Sequence, residues 1–245
     1  MDRNRCARRR VQASANADTA RDTWEHRDEP FRDAITDVDQ LRQRYRSPSA
    51  LVQRKESPIL DDGACQFIAA SPLFVMCTAG SRGADASPRG GPPGFVAVLD
   101  DHRLAWADLS GNNRLDSCRN LLEQPSVALW FVVPGVGEQL RVNGTATLTV
   151  DPEVLDATMI DGRRAELAIG VDVTMCMIHC AKALRRSGTW DPDSWLPADE
   201  RPSAAAILKG HLAIDIDQAD LEADLEVAYR DTLWSPGGRG VATAD

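Results

Sequence analysis

The sequence predicts a mixed β-barrel with peripheral helices, six strands in all. Three observations carry this. Between residues 74 and 178 short apolar or alternating runs follow one another, separated by turns rich in Gly, Pro and Asp, as hairpin-joined strands require. One strongly amphipathic helix, 113–123, is inserted among them. The strands do not alternate regularly with helices, as a parallel doubly wound sheet would need, and neither G-x-G-x-x-G between strand and helix, nor a Walker A sequence, nor an internal repeat is present.

Residues 1–30 are polar and read as a disordered leader, and the Gly-rich stretch 235–245 as a loose tail. Residues 31–234 form the expected single domain. Thr36-Asp37-Val38-Asp39 opens a helix that runs to Arg46, and Ser47-Pro48-Ser49 restarts a second through Lys55. Ile59 to Ala70 has helical spacing and stops before Ser71-Pro72. The period then shortens. Phe74 to Thr78 is a strand closed by a Gly80/Gly83 turn, and 84–89 is strand-like. Next, 95–99 and 103–108 form a hairpin around Asp100-Asp101-His102. In helix 113–123, Leu115, Cys118, Leu121 and Leu122 share a face, and Pro125 marks its end. Ser126 to Val133 turns at Pro134-Gly135 into 139–148. A short helix at 152–158, a long strand from Ala165 to Ile178, a helical turn at 179–186 and helices at 199–208 and 217–230 complete the pattern.

Net charge is −9, with five Arg against one Asp in the first ten residues, so the body is acidic. Such a body disfavours nucleic acid as a partner without excluding a local phosphate pocket. No apolar run approaches the roughly 20 residues of a bilayer span. The six cysteines sit mostly in apolar runs without a secretory signal, which predicts buried free thiols in a cytoplasmic protein.

Residues 85–114 concentrate the functional signal. Ser87-Pro88-Arg89-Gly90 ends one strand-like run, and Gly111-Asn112-Asn113-Arg114 delivers Asn112, Asn113 and Arg114 to a helix start. Two guanidiniums and free backbone N–H groups make an anion pocket. In isolation, Asn113 and Arg114 read as helix capping and surface decoration; it is Arg89 and the order of the hairpin that turn the reading to a pocket. Pro88 fits either an edge strand or a bulge. Cys176, His179 and Cys180 offer three soft ligands where a structural metal needs four, so no metal is expected.

These motifs carry a resemblance. Ser87-Pro88-Arg89-Gly90, Gly111-Asn112-Asn113-Arg114, Asn120 to Leu129 and Pro134 to Ala146 together resemble a subgroup of the pyridoxamine 5′-phosphate oxidase-like FMN-binding split-barrel flavoproteins. The resemblance implies a homodimer of split barrels with FMN between them. It places Ser87 and Arg89 beside the phosphate or ribityl chain, the backbone of Trp106-Ala107-Asp108 along the flavin, and Asn112, Asn113 and Arg114 at the phosphate. Lys182 follows the last strand and approaches the flavin, and His179 and Lys182 are the candidate catalytic residues. Pro88 and the missing Arg-rich C-terminal signature are departures from the oxidases proper. The expected function is an FMN-dependent oxidoreductase exchanging electrons with small-molecule donors or acceptors. A non-catalytic flavin carrier or sensor and an F420-dependent reductase are the alternatives, and a leader that binds an acidic partner is a third reading.

Overall fold

The computed structural model describes residues 33–109 and 111–234. The expected leader and tail, and Cys6, lie outside the described residues. In chain order the elements are α1 (Val38–Arg42), α2 (Ala50–Gln53), α3 (Asp62–Ala70), β1 (Leu73–Gly80), β2 (Gly83–Gly90), β3 (Val96–Val98) and β4 (Arg103–Ala107). There follow α4 (Asp116–Glu123), β5 (Ser126–Val132), β6 (Gln139–Thr149), α5 (Pro152–Ala157), β7 (Ala168–His179), α6 (Lys182–Ser187), α7 (Ala204–Leu212) and α8 (Gln218–Thr232).

The chain divides into two compact units. The first holds residues up to Pro48 together with Ser203–Glu222. Its helices begin at side-chain caps. The Asp37 carboxylate accepts from Gln40 N at 2.8 Å, and Ser203 Oγ accepts from Ala206 N at 3.1 Å while donating to Glu222 at 2.6 Å. Each satisfies a backbone donor that the first turn leaves free.

The second unit, Ser49–Pro202 and the residues from Ala223, contains one antiparallel sheet in the order β2-β1-β5-β6-β7-β4-β3. It has seven strands among the described residues where the sequence predicts six. All seven runs that the sequence delimits, 84–89 among them, form strands, and Pro88 does not break β2. Pro88 sits opposite Val75 in a continuous register, with no bulge, and β2 is an edge strand. An edge position tolerates the missing ladder N–H, so the edge reading of Pro88 holds and the bulge reading does not. The irregularity falls instead between Asn143 and Gly144 on β6, where a Cβ on Gly144 would collide with the Asp172 carbonyl.

Alternation sorts the sheet into two faces. Phe74 and Met76 of β1, Leu129 and Phe131 of β5, and Leu140 and Val142 of β6 point to the core. There Phe74 meets Trp106 edge-to-face at 4.9 Å and lies against Phe95 and Phe131. Val75, Trp130 and Arg141, paired in one row, point to the opposite face and are half-buried. Helix α4 packs on the edge formed by β1 and β2. Its contact is close: Asn120 Nδ2 donates to Thr78 Oγ1 at 3.1 Å, and a Cβ on Gly80 would fall 2.6 Å from Asn120 Oδ1.

Two expectations need correction. Helix α4 begins at Asp116, three residues late, because Asn113 and Leu115 have φ of 54° and 57° and a left-handed backbone cannot enter a right-handed helix. Among the described residues the cysteines are free, but only Cys118 and Cys176 are buried, whereas Cys77 and Cys180 are exposed. Cys77 belongs to the outer row of β1, and an apolar run cannot report which face of its strand is covered.

Candidate functional site

The inward row of β2 is polar where that of β1 is apolar. Asp85, Ser87 and Arg89 pair with Thr78, Met76 and Phe74, so they share the core face, and all three are half-buried. No described strand lies beyond β2, and the space is walled by the end of β4, the turn after it and the start of α4. The result is a cleft of about 1350 Å³.

Its polar groups are tied to one another. Arg89 Nη1 donates to Asp108 Oδ1 at 3.1 Å, and the two side chains are 22% and 14% exposed. Ser117 Oγ donates to Asp85 Oδ2 at 2.7 Å. Arg114 Nε and Arg82 Nη2 reach the two oxygens of Asp116 at 2.7 and 2.6 Å, and Arg114 N donates to Asn112 Oδ1 at 3.1 Å. Asn112 therefore closes a side-chain turn of the kind this residue favours. It does not cap the helix.

Two donors remain over. Arg89 Nε and Trp106 Nε1 are buried and have no hydrogen-bond partner, and both residues line the cleft. A buried N–H without an acceptor is costly, and two of them on one cleft fit a ligand with acceptor oxygens or nitrogens. A phosphorylated, carbonyl-bearing cofactor has such atoms.

Charge shapes the same space. Arg89 and Arg114 face Asp85, Asp108, Asp116 and Glu166, so two positive charges meet four negative ones and the lining carries a formal −2. Burial pushes the Asp108 carboxyl above its ordinary range despite the neighbouring Arg89. The guanidinium of Arg114, with help from Arg82, holds Asp116 below it. Cys118 also lines the cleft, and burial raises its thiol, which opposes a nucleophilic role.

Of the residues singled out from the sequence, Ser87, Arg89, Trp106, Ala107, Asp108, Asn112, Asn113 and Arg114 all line this cleft. His179 and Lys182 do not. His179 ends β7 opposite Gln139, half-buried and with Nδ1 unpartnered, and Lys182 opens α6 in an exposed position. Sequence reading missed Asp85, Asp116, Ser117, Glu166 and the pair Leu233 and Trp234, which also line the cleft. Period-two alternation with Ser87 and Arg89 was signal enough to find Asp85. Leu233 and Trp234 lie far along the chain, with no local signal.

An open antiparallel sheet flanked by helices, with its cleft beside an edge strand, defines the structural class. Residues 60–171, somewhat less than half of the chain, match the family model described as pyridoxamine 5′-phosphate oxidase. Among solved structures, similarity is found to a point variant of HupZ from Group A Streptococcus (18% identity, 49% of this chain and 99% of that one, TM-score 0.38). A NimC/NimA family protein from Clostridium acetobutylicum is similar at 18% identity, over 49% and 87% of the two chains, with a TM-score of 0.36. An FMN-binding protein from Syntrophomonas wolfei is similar at 10% identity, over 46% and 80%, also at 0.36. No curated protein matches the chain in sequence. Among the described residues no helix is long and apolar enough to cross a membrane.

Proposed function

We propose that the protein is an FMN-dependent oxidoreductase acting as a homodimer. The observation that carries this is the meeting of Arg89 Nε and Trp106 Nε1, two buried donors without acceptors, on one cleft. When bound, FMN supplies the electron-transfer chemistry, and the protein contributes binding and orientation. Arg89 and Arg114 neutralise phosphate, with Ser87, Asn112 and Asn113 supplying hydrogen bonds beside them. The strand from Trp106 to Asp108 borders the ring. Asp108 holds the Arg89 guanidinium through Nη1.

The dimer is supported by the outer face of the sheet. Leu73 is 39% exposed, and Val75, Cys77 and Trp130 stand on the same face. An apolar face of this kind is normally covered. Light scattering is expected to give twice the 26.7 kDa chain mass.

The test is a titration of the purified protein with FMN, followed by absorbance and flavin emission. Saturable binding, weakened in Arg89→Ala and Arg114→Ala, is expected. An absence of saturable binding overturns the proposal. Reduction of the bound flavin by NADH or NADPH with transfer to an acceptor marks an enzyme, and a flavin that stays oxidised marks a carrier or sensor. Competition between FMN and F420 decides the cofactor. The −2 lining favours the ligand with fewer anionic groups.

A further inference from the structure

The apolar wall of the cleft is completed from the far end of the chain. Leu233 and Trp234, directly after α8, line it together with Phe95, Trp106, Leu109 and Leu167. The two tryptophans are in different states. Trp106 is 1% exposed and fixed against Phe74, whereas Trp234 is 37% exposed. Among the described residues every ring contact centres on Phe74, and Trp234 takes part in none. A large aromatic side chain with a free face on the wall of a cleft offers a surface for another ring. The floor, with the unpartnered Arg89 Nε and Trp106 Nε1, serves acceptor atoms. The wall at Leu233 and Trp234 serves a planar, apolar group.

We infer that Trp234 is a ligand-binding residue of this cleft, a stacking surface for the planar heteroaromatic part of the cofactor. The inference rests on the flavin reading above and assigns a role to a residue outside the matched segment 60–171. Arg89 and Trp234 then divide the ligand between them: the guanidinium acts on the phosphorylated end and the indole on the ring. Riboflavin, which keeps the ring and lacks the phosphate, separates the two contributions.

The experiment titrates the full chain, Trp234→Ala, Trp234→Phe and Arg89→Ala with FMN and with riboflavin. Trp195→Phe, exposed and outside the cleft lining, serves as control. Trp234→Ala is expected to raise Kd about tenfold for both ligands, with flavin emission less quenched, and Trp234→Phe to restore most of the affinity but not the quenching, which needs the readily oxidised indole. Arg89→Ala weakens FMN and leaves riboflavin nearly unchanged. If the unsubstituted chain binds FMN and Trp234→Ala binds it equally well with the same emission, the inference fails and the flavin reading stands. A penalty confined to FMN also overturns it, because Trp234 would then act at the phosphate. Failure of the unsubstituted chain to bind FMN sinks the flavin reading itself. Where the alanine variant loses its fold, seen by circular dichroism, Trp234→Phe decides: affinity kept with quenching lost places the indole against the ring, and quenching kept overturns the inference.

Discussion

Residues 85–118 and residues 176–182 both bring ionisable and soft side chains close together in sequence, and the fold treats them in opposite ways. In the first stretch an edge strand points a polar row inward, and the following turn and helix fold back over it. Side chains from Asp85 to Cys118 thereby meet around one cleft. In the second, Cys176 and Ile178 alternate with Met177 and His179 along β7. The pleat sends neighbours to opposite faces. Cys176 ends up in the core, while Lys182 stands in solvent at the start of α6. Proximity in sequence along one strand therefore disperses side chains, and a turn back onto the strand is what collects them.

The largest effect that tests this contrast belongs to Arg89. It is half-buried, held by Asp108 and still has a free Nε, whereas Arg114 is 51% exposed and spent on Asp116. Arg89→Ala is expected to weaken FMN binding by about 100-fold, or about 2.7 kcal/mol, and Arg114→Ala by clearly less. Equal losses in a titration of the two variants would dissolve the distinction between floor and rim.

Next comes the support for Arg89. Asp108→Ala leaves Nη1 without its acceptor in a partly dry site and is expected to cost roughly 1–3 kcal/mol in denaturant unfolding. Asp108→Asn keeps an acceptor and is expected to restore that loss. The pH dependence has a definite sign. Burial raises the Asp108 carboxyl above its ordinary value of 3.8, so the folded state holds this proton longer than the unfolded chain. Its contribution is fully present below about that value and is lost as pH rises through the folded pKa. Asp108→Asn should flatten this slope, and an unchanged slope between variant and parent would refute the assignment.

A smaller effect is expected at the other end of the comparison. His179 and Lys182 do not line the cleft, so His179→Ala and Lys182→Ala should change FMN affinity less than twofold and stability within about 0.5 kcal/mol. A large loss of flavin in either would overturn the separation of this end of β7 from the cleft.

How much of this was legible beforehand follows the same physics. The hairpin around Asp100, the strands on either side of Pro134 and the caps Asp37 and Ser49 are local features, and they form where the pattern puts them. The eight cleft residues were legible because a resemblance tied separate motifs together, which periodicity alone does not do. The late start of α4 was not, since Asn tolerates the left-handed backbone of Asn113 but nothing announces it at Leu115, a residue that rarely adopts it. Trp234 was not, because only the folded chain brings the end of α8 to the cleft.

The smallest effect concerns thiols and tests the dispersal along β7 directly. Cys176 is 4% exposed, and burial, with Asp61 nearby, pushes its thiol up to about 11. At pH 8 about one molecule in a thousand then carries the thiolate. The folded state holds this proton while the unfolded chain releases it near 9, so the associated stability is present at neutral pH and drains between about 9 and 11. Cys180, four residues on, is exposed. Brief iodoacetamide treatment at pH 8 with peptide mapping is expected to label Cys180 and Cys77 and to spare Cys176 and Cys118. Labelling of Cys176 at the rate of Cys180 under native conditions would mean that β7 opens at its C-terminal end. The bridge between Ser57 and Cys176, whose backbone groups exchange hydrogen bonds at 2.7 and 2.9 Å, would then be the contact that yields.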